Sequence, residues 1–240
     1  MPERNWLRTM QGFVESWSAE EVLDWALHRF DRRIALASAF GPEGMVLIDI
    51  ATRLRPDVHV FTLDTGLFFP ETYELMEEVE QRYNIKIERV KPALTVDQQA
   101  VKHGPLLWLN DSDSCCNMRK VEPLRRKLAT LDAWIAAIRR DQTPDRAHAQ
   151  KVDWDAKFGL VKINPLCDWT SDMVWDYVRA NDLPYNPLHD QGYPSIGCQP
   201  CTKPVAHGGD PRSGRWAGMA KTECGLHQLP ESGTLRVLQD

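Results

Sequence analysis

No stretch of this chain approaches the ~18 consecutive apolar residues that a membrane-spanning helix requires. Its first seventeen residues carry Glu3, Arg4, Arg8 and Glu15 in place of a continuous apolar core, so no secretory signal is expected and a cytoplasmic location is. Basic charge is not in excess either. The 29 Lys and Arg stand against 34 Asp and Glu, and the net charge of −5 excludes binding to nucleic acid or an anionic membrane through bulk charge. There is no internal repeat and no low-complexity tract. Hydrophobic (42%) and charged (26%) residues sit near globular averages, which excludes collagen-like, disordered and coiled-coil classes. Neither a GxxxxGK[ST] phosphate loop nor a GxGxxG dinucleotide fingerprint occurs.

A chain of 240 residues buries roughly 70–75% of the surface its unfolded state exposes, enough to fold without covalent staples. The six cysteines therefore need another explanation. In a reducing compartment, tightly spaced cysteines bind metal or do chemistry more often than they form disulfides.

Hydrophobic patterning alternates helix and strand. Ser18-Ala19-Glu20-Glu21 is a capping-box signature, and Val22, Leu23, Ala26, Leu27 and Phe30 follow at helical spacing. Strands are expected at 33–38, 58–63, 85–90, 133–138 and 158–163, and helices at 45–54, 70–83, 95–103, 115–128 and 170–180. Repeated β-α-β units imply an α/β fold, a doubly wound, mostly parallel sheet with helices on both faces. From Leu183 onward the prolines and glycines permit little regular structure. Residues 1–182 are expected to form the α/β domain, including the first cysteine pair, and 183–240 an irregular C-terminal segment of the same domain.

Several segments can carry chemistry. Residues 38–44, Ser-Ala-Phe-Gly-Pro-Glu-Gly, join a strand to a helix, where free backbone N–H groups favour an anion; an ordinary βα turn would need the same glycines. The next strand ends in Leu63-Asp64-Thr65-Gly66, and Asp64 suits either a sugar or base contact or a turn. Between Arg119 and Arg140 lie seven basic residues against Glu122 and Asp132, a local anion field. Within it Arg119 with Arg126, and Lys120 with Lys127, are seven apart and would share helix faces, while Arg139-Arg140 follow an apolar strand at its ligand-facing end.

Cys115-Cys116 is a vicinal pair and Cys198-Gln199-Pro200-Cys201 a CxxC. Together they offer four thiolates, suited to tetrahedral zinc or to a [4Fe–4S] cluster; adjacent cysteines fit a cubane better, because its ligands bind separate irons. A CxxC alone also serves as a redox dithiol. Cys167 has no partner in sequence and reads as a small core residue. Cys224, with Arg212 and Arg215 upstream and His227 downstream, reads as a nucleophile or as an unpaired surface thiol, and Glu223 opposes activation.

In order along the chain, Cys115-Cys116 with Arg119-Lys120, Arg139-Arg140-Asp141-Gln142, Gly197-Cys198-Gln199-Pro200-Cys201, Arg212-Ser213-Gly214-Arg215-Trp216 and Glu223-Cys224-Gly225-Leu226-His227 resemble the assimilatory sulfonucleotide reductases. The resemblance runs from Ser38 to His227, and its cysteine-quartet branch is similar to adenylylsulfate (APS) reductases. It implies an adenine-nucleotide α-hydrolase-like sheet and reduction of adenylylsulfate to sulfite and AMP. It further implies a [4Fe–4S] cluster on Cys115, Cys116, Cys198 and Cys201, and Cys224 as nucleophile. Ser38 would lie in a modified pyrophosphate loop, Leu63 and Asp64 near the nucleoside, and Lys120, Arg139, Arg146, Arg212, Arg215 and His227 around the phosphosulfate. A separate thioredoxin or glutaredoxin would be the reductant, and a homo-oligomer is compatible with the pattern. Phe40 stands where many cluster-bearing members have a small polar residue, so the loop leans on backbone donors. The competing readings are phosphoadenylylsulfate (PAPS) as substrate, with Arg125, Lys203 or Lys221 taking the extra phosphate, and a zinc-stabilised binding module.

Overall fold

The structure, a computed structural model, describes residues 5–206, 208–219, 221 and 223–227. Its centre is a six-stranded sheet of β1 (Ile34–Ala37), β2 (Val60–Leu63), β3 (Ile87–Val90), β4 (Ala133–Ala136), β5 (Val152–Asp155) and β6 (Leu160–Ile163), in the order β3-β2-β1-β4-β6-β5. Neighbours are parallel except β5, which runs antiparallel to β6 at the edge. The chain steps outward from β1 to β3 and then crosses back past β1 to β4. The strand order thus reverses between β1 and β4, and a crevice opens beyond their carboxyl ends, where open α/β sheets bind ligands. Ile34 faces Ala133 and Ala37 faces Ala136 in register, so the loops after both strands leave the sheet at the same level.

Period-2 alternation divides the sheet into two unlike faces. Ile34 and Leu36 of β1, with Ala133 and Ile135 of β4, point into a large core. That core is covered by α1 (Asn5–Val14), α2 (Ala19–Phe30), α3 (Pro42–Leu54), α4 (Pro70–Tyr83) and α9 (Ser171–Ala180). Ala35, Trp134 and Ala136 point the other way, against Leu124 and Leu128 of α8 (Glu122–Leu128), and Phe158 and Leu226 pack there too. Past β4 this second face is thus covered in part by the C-terminal tail, where a helix was expected.

The expected helix at 45–54 begins at Pro42, because proline in the first turn is pre-set for helix and Gly41 serves as N-cap. Helix α1 and edge strand β5 were not anticipated. The capping box at Ser18 is present, and a second one, Thr95 with Gln98, opens α5 (Val96–His103).

The helix expected over 115–128 is not continuous. A short α7 (Ser112–Cys116) passes into a π-helical turn, Asn117–Val121, before α8 resumes; α6 (Leu107–Asn110) precedes it. Pro123 explains the turn: it has no N–H for the Arg119 carbonyl four residues back, and its ring crowds that carbonyl. The wider turn breaks the expected seven-residue pairing. Arg119 is buried, whereas Arg126 is exposed and donates to the Lys91 carbonyl at 2.6 Å.

Candidate active site

At the end of β1, Ser38 is buried and its Oγ accepts from the Phe40 amide at 3.0 Å, stabilising Phe40 in the left-handed region (φ 60°). The same hydroxyl lies where a Cβ on Gly44 would come within 2.5 Å, so the loop closes only with glycine there. No side chain caps the N-terminus of α3, and its first N–H groups remain available to an anion. At the end of β2, Asp64 is buried and closes a turn by accepting from the Gly66 amide at 3.0 Å. It also accepts from Tyr73 Oη at 2.8 Å; burial and this carboxylate push the tyrosine up to about 12. The same loop reaches the cysteines, since Thr65 Oγ1 lies 3.3 Å from Cys198 Sγ.

Beyond β4 the two arginines part company. Arg140 turns away to the Ala149 carbonyl (2.7 Å) and Glu15 (2.6 Å). Arg139, 7% exposed, is ion-paired to Glu43 (Nε to Oε1, 3.2 Å) and to Asp141 (Nη2 to Oδ1, 3.5 Å), and its buried Nη1 has no hydrogen-bond partner. Gln142 organises its surroundings. Its amide donates to Glu43 (3.0 Å), and its carbonyl oxygen accepts from the Arg139 backbone (3.1 Å) and Arg146 Nη1 (2.5 Å). A buried guanidinium donor with an unmet bond at a strand end fits an incoming anion.

Cys115, Cys116, Cys198 and Cys201 line one cavity, together with Leu67, Trp108, Arg119 and Lys120. All four are buried free thiols. The first pair comes from α7. The second is brought across by the Gln199 amide, which donates to the Leu67 carbonyl at 2.7 Å, and by Trp216, whose amide donates to the Cys201 carbonyl at 3.0 Å. Burial holds the Cys115 and Cys116 thiols above their usual range and pushes Cys201 up to about 11; neighbouring sulfurs add to this in all three. Such soft donors are a set that a bound cationic group would hold as thiolates. Among the described residues, no three His, Cys, Asp or Glu side chains converge closely enough to grip a single metal ion. Arg119 braces the wall, donating to the Thr65 carbonyl (2.5 Å) and Gln99 Oε1 (2.8 Å). Lys120 lines the same wall: burial would lower its ammonium, but the sulfurs of Cys198, Cys224 and Cys116 outweigh that and raise it.

Cys224 is half-buried and packs against this group with Trp108, Trp216 and Met219. Arg215 lies over the Trp216 ring at 4.7 Å and so close to Gly197 that a Cβ there would clash at 2.2 Å. Side chains peg the tail on both sides of the thiol. Lys221 pairs with Asp113 (2.5 Å), Glu223 with Arg146 (3.0 Å) and Arg212 (3.2 Å), and Lys157 donates to the Gly225 carbonyl. His227 stacks on Trp134 at 5.7 Å, with Lys162 Nζ 3.3 Å from its Nδ1. Burial, reinforced by Lys162, Arg146, Arg212 and Lys157, keeps that imidazole far below its usual range and therefore neutral. Trp134, Lys157, Lys162, Glu43, Gln142 and Glu223 were not foreseen as a set. Cys167 is a fully buried core thiol, pushed by its burial up to about 11.

Residues 33–204 match the family described as the phosphoadenosine phosphosulfate reductase domain. The chain belongs to this family. A Bacillus subtilis relative named adenosine 5'-phosphosulfate reductase 2 is 50% identical over 87% of this chain and 89% of its own length. One from Gloeobacter violaceus, named phosphoadenosine 5'-phosphosulfate reductase, is 48% identical over 91% of this chain and 93% of its own. Among solved structures, a PAPS reductase from Candida auris in a phosphate complex superposes with a TM-score of 0.72 at 30% identity, covering 83% of this chain and 96% of that one. Family membership accords with the six-stranded, mostly parallel sheet and its crevice. Within the family frame, the sequence-predicted residues fall into three neighbouring groups: Ser38, Leu63, Asp64 and Arg139 at the strand ends, the four cysteines with Lys120 around the cavity, and Arg146, Arg212, Arg215 and His227 along the tail. Among the described residues, no helix is long and apolar enough to cross a membrane.

Proposed function

We propose that this protein reduces adenylylsulfate to sulfite and AMP in sulfate assimilation and cysteine biosynthesis, with Cys224 as the nucleophile. The observation that carries the reading is the juxtaposition of a half-buried thiol with a four-thiol cavity and a buried guanidinium, Arg139, that has a donor to spare. The α3 N-terminus and the β2 loop would hold the nucleotide, and Arg139, Lys120 and Arg215 the phosphosulfate. The Cys224 thiolate attacks the substrate sulfur. An S–S bond forms, the S–O bond to phosphate breaks, and AMP leaves with the electron pair, while the cations offset repulsion between thiolate and polyanion. A dithiol protein, thioredoxin or glutaredoxin, then attacks Cys224 Sγ. Sulfite departs with the electron pair, and the second thiol of that protein displaces the mixed disulfide, so the dithiol supplies both electrons.

Cys115, Cys116, Cys198 and Cys201 would hold a [4Fe–4S] cluster. It would fix the segment from Cys115 to Lys120 and supply local charge, since the electron balance closes without it. A vicinal pair among four thiols lining one cavity favours separate irons over one zinc ion. PAPS is the second reading, favoured by the name of the Gloeobacter relative. Of the three cations that could take an extra phosphate, Lys221 is engaged by Asp113 and Arg125 lies over Phe158, while Lys203 is exposed. Anaerobically loaded protein treated with adenylylsulfate should gain SO₃ on the Cys224 peptide by mass spectrometry; its absence there overturns the reading. Competition between the two nucleotides ranks the substrates.

A further inference from the structure

The mechanism above does not use Glu223, yet this carboxylate is 4% exposed, immediately before the nucleophile. Burying a carboxylate costs several kcal/mol unless it is paired. Two guanidiniums from other parts of the fold pair it: Arg146 in the turn Pro144–Arg146 after β4, and Arg212 in the loop after the CxxC segment. Arg146 is in turn aimed by Gln142, which also accepts from the Arg139 backbone and donates to Glu43 of α3. A continuous side-chain chain therefore runs from the crevice floor to the residue whose Cα lies about 3.8 Å from that of Cys224.

We infer that Glu223 is a positioning residue: clamped by Arg146 and Arg212, it sets the Cys224 thiol over the substrate for sulfur transfer, and its release frees the tail for the reductant. The inference rests on the proposed reduction. It also divides the cations. Two arginines pair with the one carboxylate of Glu223, while Arg139, paired with Glu43 and Asp141, keeps a buried Nη1 without a hydrogen-bond partner for the substrate anion. Glu223 thus completes a clamp and does not stand in the substrate's place.

The test uses the full-length, cluster-loaded protein and its Glu223→Gln and Glu223→Asp variants, with iron content as the check on folding. Sulfocysteine formation is followed in a single turnover with [³⁵S]adenylylsulfate and no reductant. Sulfite release from preformed sulfocysteine by a dithiol is followed separately. Glu223→Gln should form sulfocysteine about 10–100-fold more slowly at saturating substrate, with half-saturation nearly unchanged. Glu223→Asp should recover part of the rate, and sulfite release should be as fast as in the parent or faster. Equal slowing of both steps, or a lower half-saturation at unchanged rate, overturns the inference, the latter because it would make Glu223 a competitor of substrate. Failure of the parent protein to form sulfocysteine would instead overturn the proposed function beneath it.

Discussion

The two faces of the sheet are covered by different kinds of material. On one, five helices bury a continuous apolar core, with Leu36, Ile48, Ala133 and Ile135 wholly inaccessible. On the other, past β4, the cover is a tail with no regular structure, held by ion pairs, a stacked histidine and single hydrogen bonds. Burial of apolar area is non-directional and spread over many residues, so a core survives small changes. Polar pegs are directional and few, and each can be undone alone. A cover that must hold a nucleophile closed during sulfur transfer and expose it to a second protein is better built from pegs, because lids come from the low-stability end of a structure.

The sharpest way to break this comparison is at the four-cysteine cavity, whose lining includes no residue of the five covering helices. Cys198→Ala should lose all iron and turnover while keeping far-UV circular dichroism, because the helix-covered core does not depend on the cavity wall. Cys167→Ala, on a fully buried thiol outside the cavity, should keep iron and cost only about 1–2 kcal/mol of stability. Loss of the whole fold in Cys198→Ala, measured by circular dichroism, would show that the two regions are not separable.

A smaller effect should separate the adjacent arginines. Arg139→Ala removes buried donors at the crevice and should lower kcat/KM about 10²–10³-fold, as for removal of a charge-stabilising donor. Arg140 ties the β4 end to the Ala149 carbonyl and to Glu15, which follows α1, away from the crevice. Its Ala variant should lower the thermal midpoint and leave kcat/KM within about threefold, since surface and half-buried pairs act on stability. Equal losses of kcat/KM in the two variants would mean that both arginines serve the crevice.

The helix-covered face, α1 excepted, was legible in the sequence for a reason: its strands are short apolar runs, α2 opens on a capping box, α3 and α4 open on proline, and the helices carry a 3.6-residue period, all local signals. Edge strand β5 escaped because only Val152 of its four residues is fully buried, so it has no clean alternation. The π-turn was readable in principle from Pro123, whose effect on the preceding carbonyl is local. The cysteines, Arg139 and Cys224 were found by motif. Gln142 and Glu223 stood inside those motifs without a positioning role, and Lys157 and Lys162 lay outside them; the pegs of the tail join residues that folding alone brings near, for Arg146 lies 77 residues from Glu223, and Lys162 65 from His227. Side-chain pegs are long-range by nature, and a single sequence carries no trace of their pairing.

The smallest expected effect concerns the pH dependence of one peg. Lys162 sits half-buried on the second face. Its ammonium is pulled down to about 8, by burial first and then by the Arg146 charge, against the opposing carboxylates of Asp155, Asp153 and Glu223. With the tail released, the side chain returns to the ordinary lysine value of about 10.4. Between these values the released state binds more protons than the docked one, so docking strengthens as pH rises through that window; below it the cost of the buried charge is constant. His227 acts in the same direction at lower pH, since its docked imidazole stays neutral where a released one, near 6.5, takes up a proton. Hydrogen-exchange protection of the Leu226 and His227 amides, corrected for intrinsic rates, should therefore rise about threefold to tenfold between pH 8 and 9.5. In Lys162→Met the rise should vanish while protection at β1 and β4 stays the same. Protection that is flat in the parent protein, or that rises equally in the variant, would mean that the tail is held by the ion pairs around Cys224 and that the contact on Trp134 contributes nothing to the closed state.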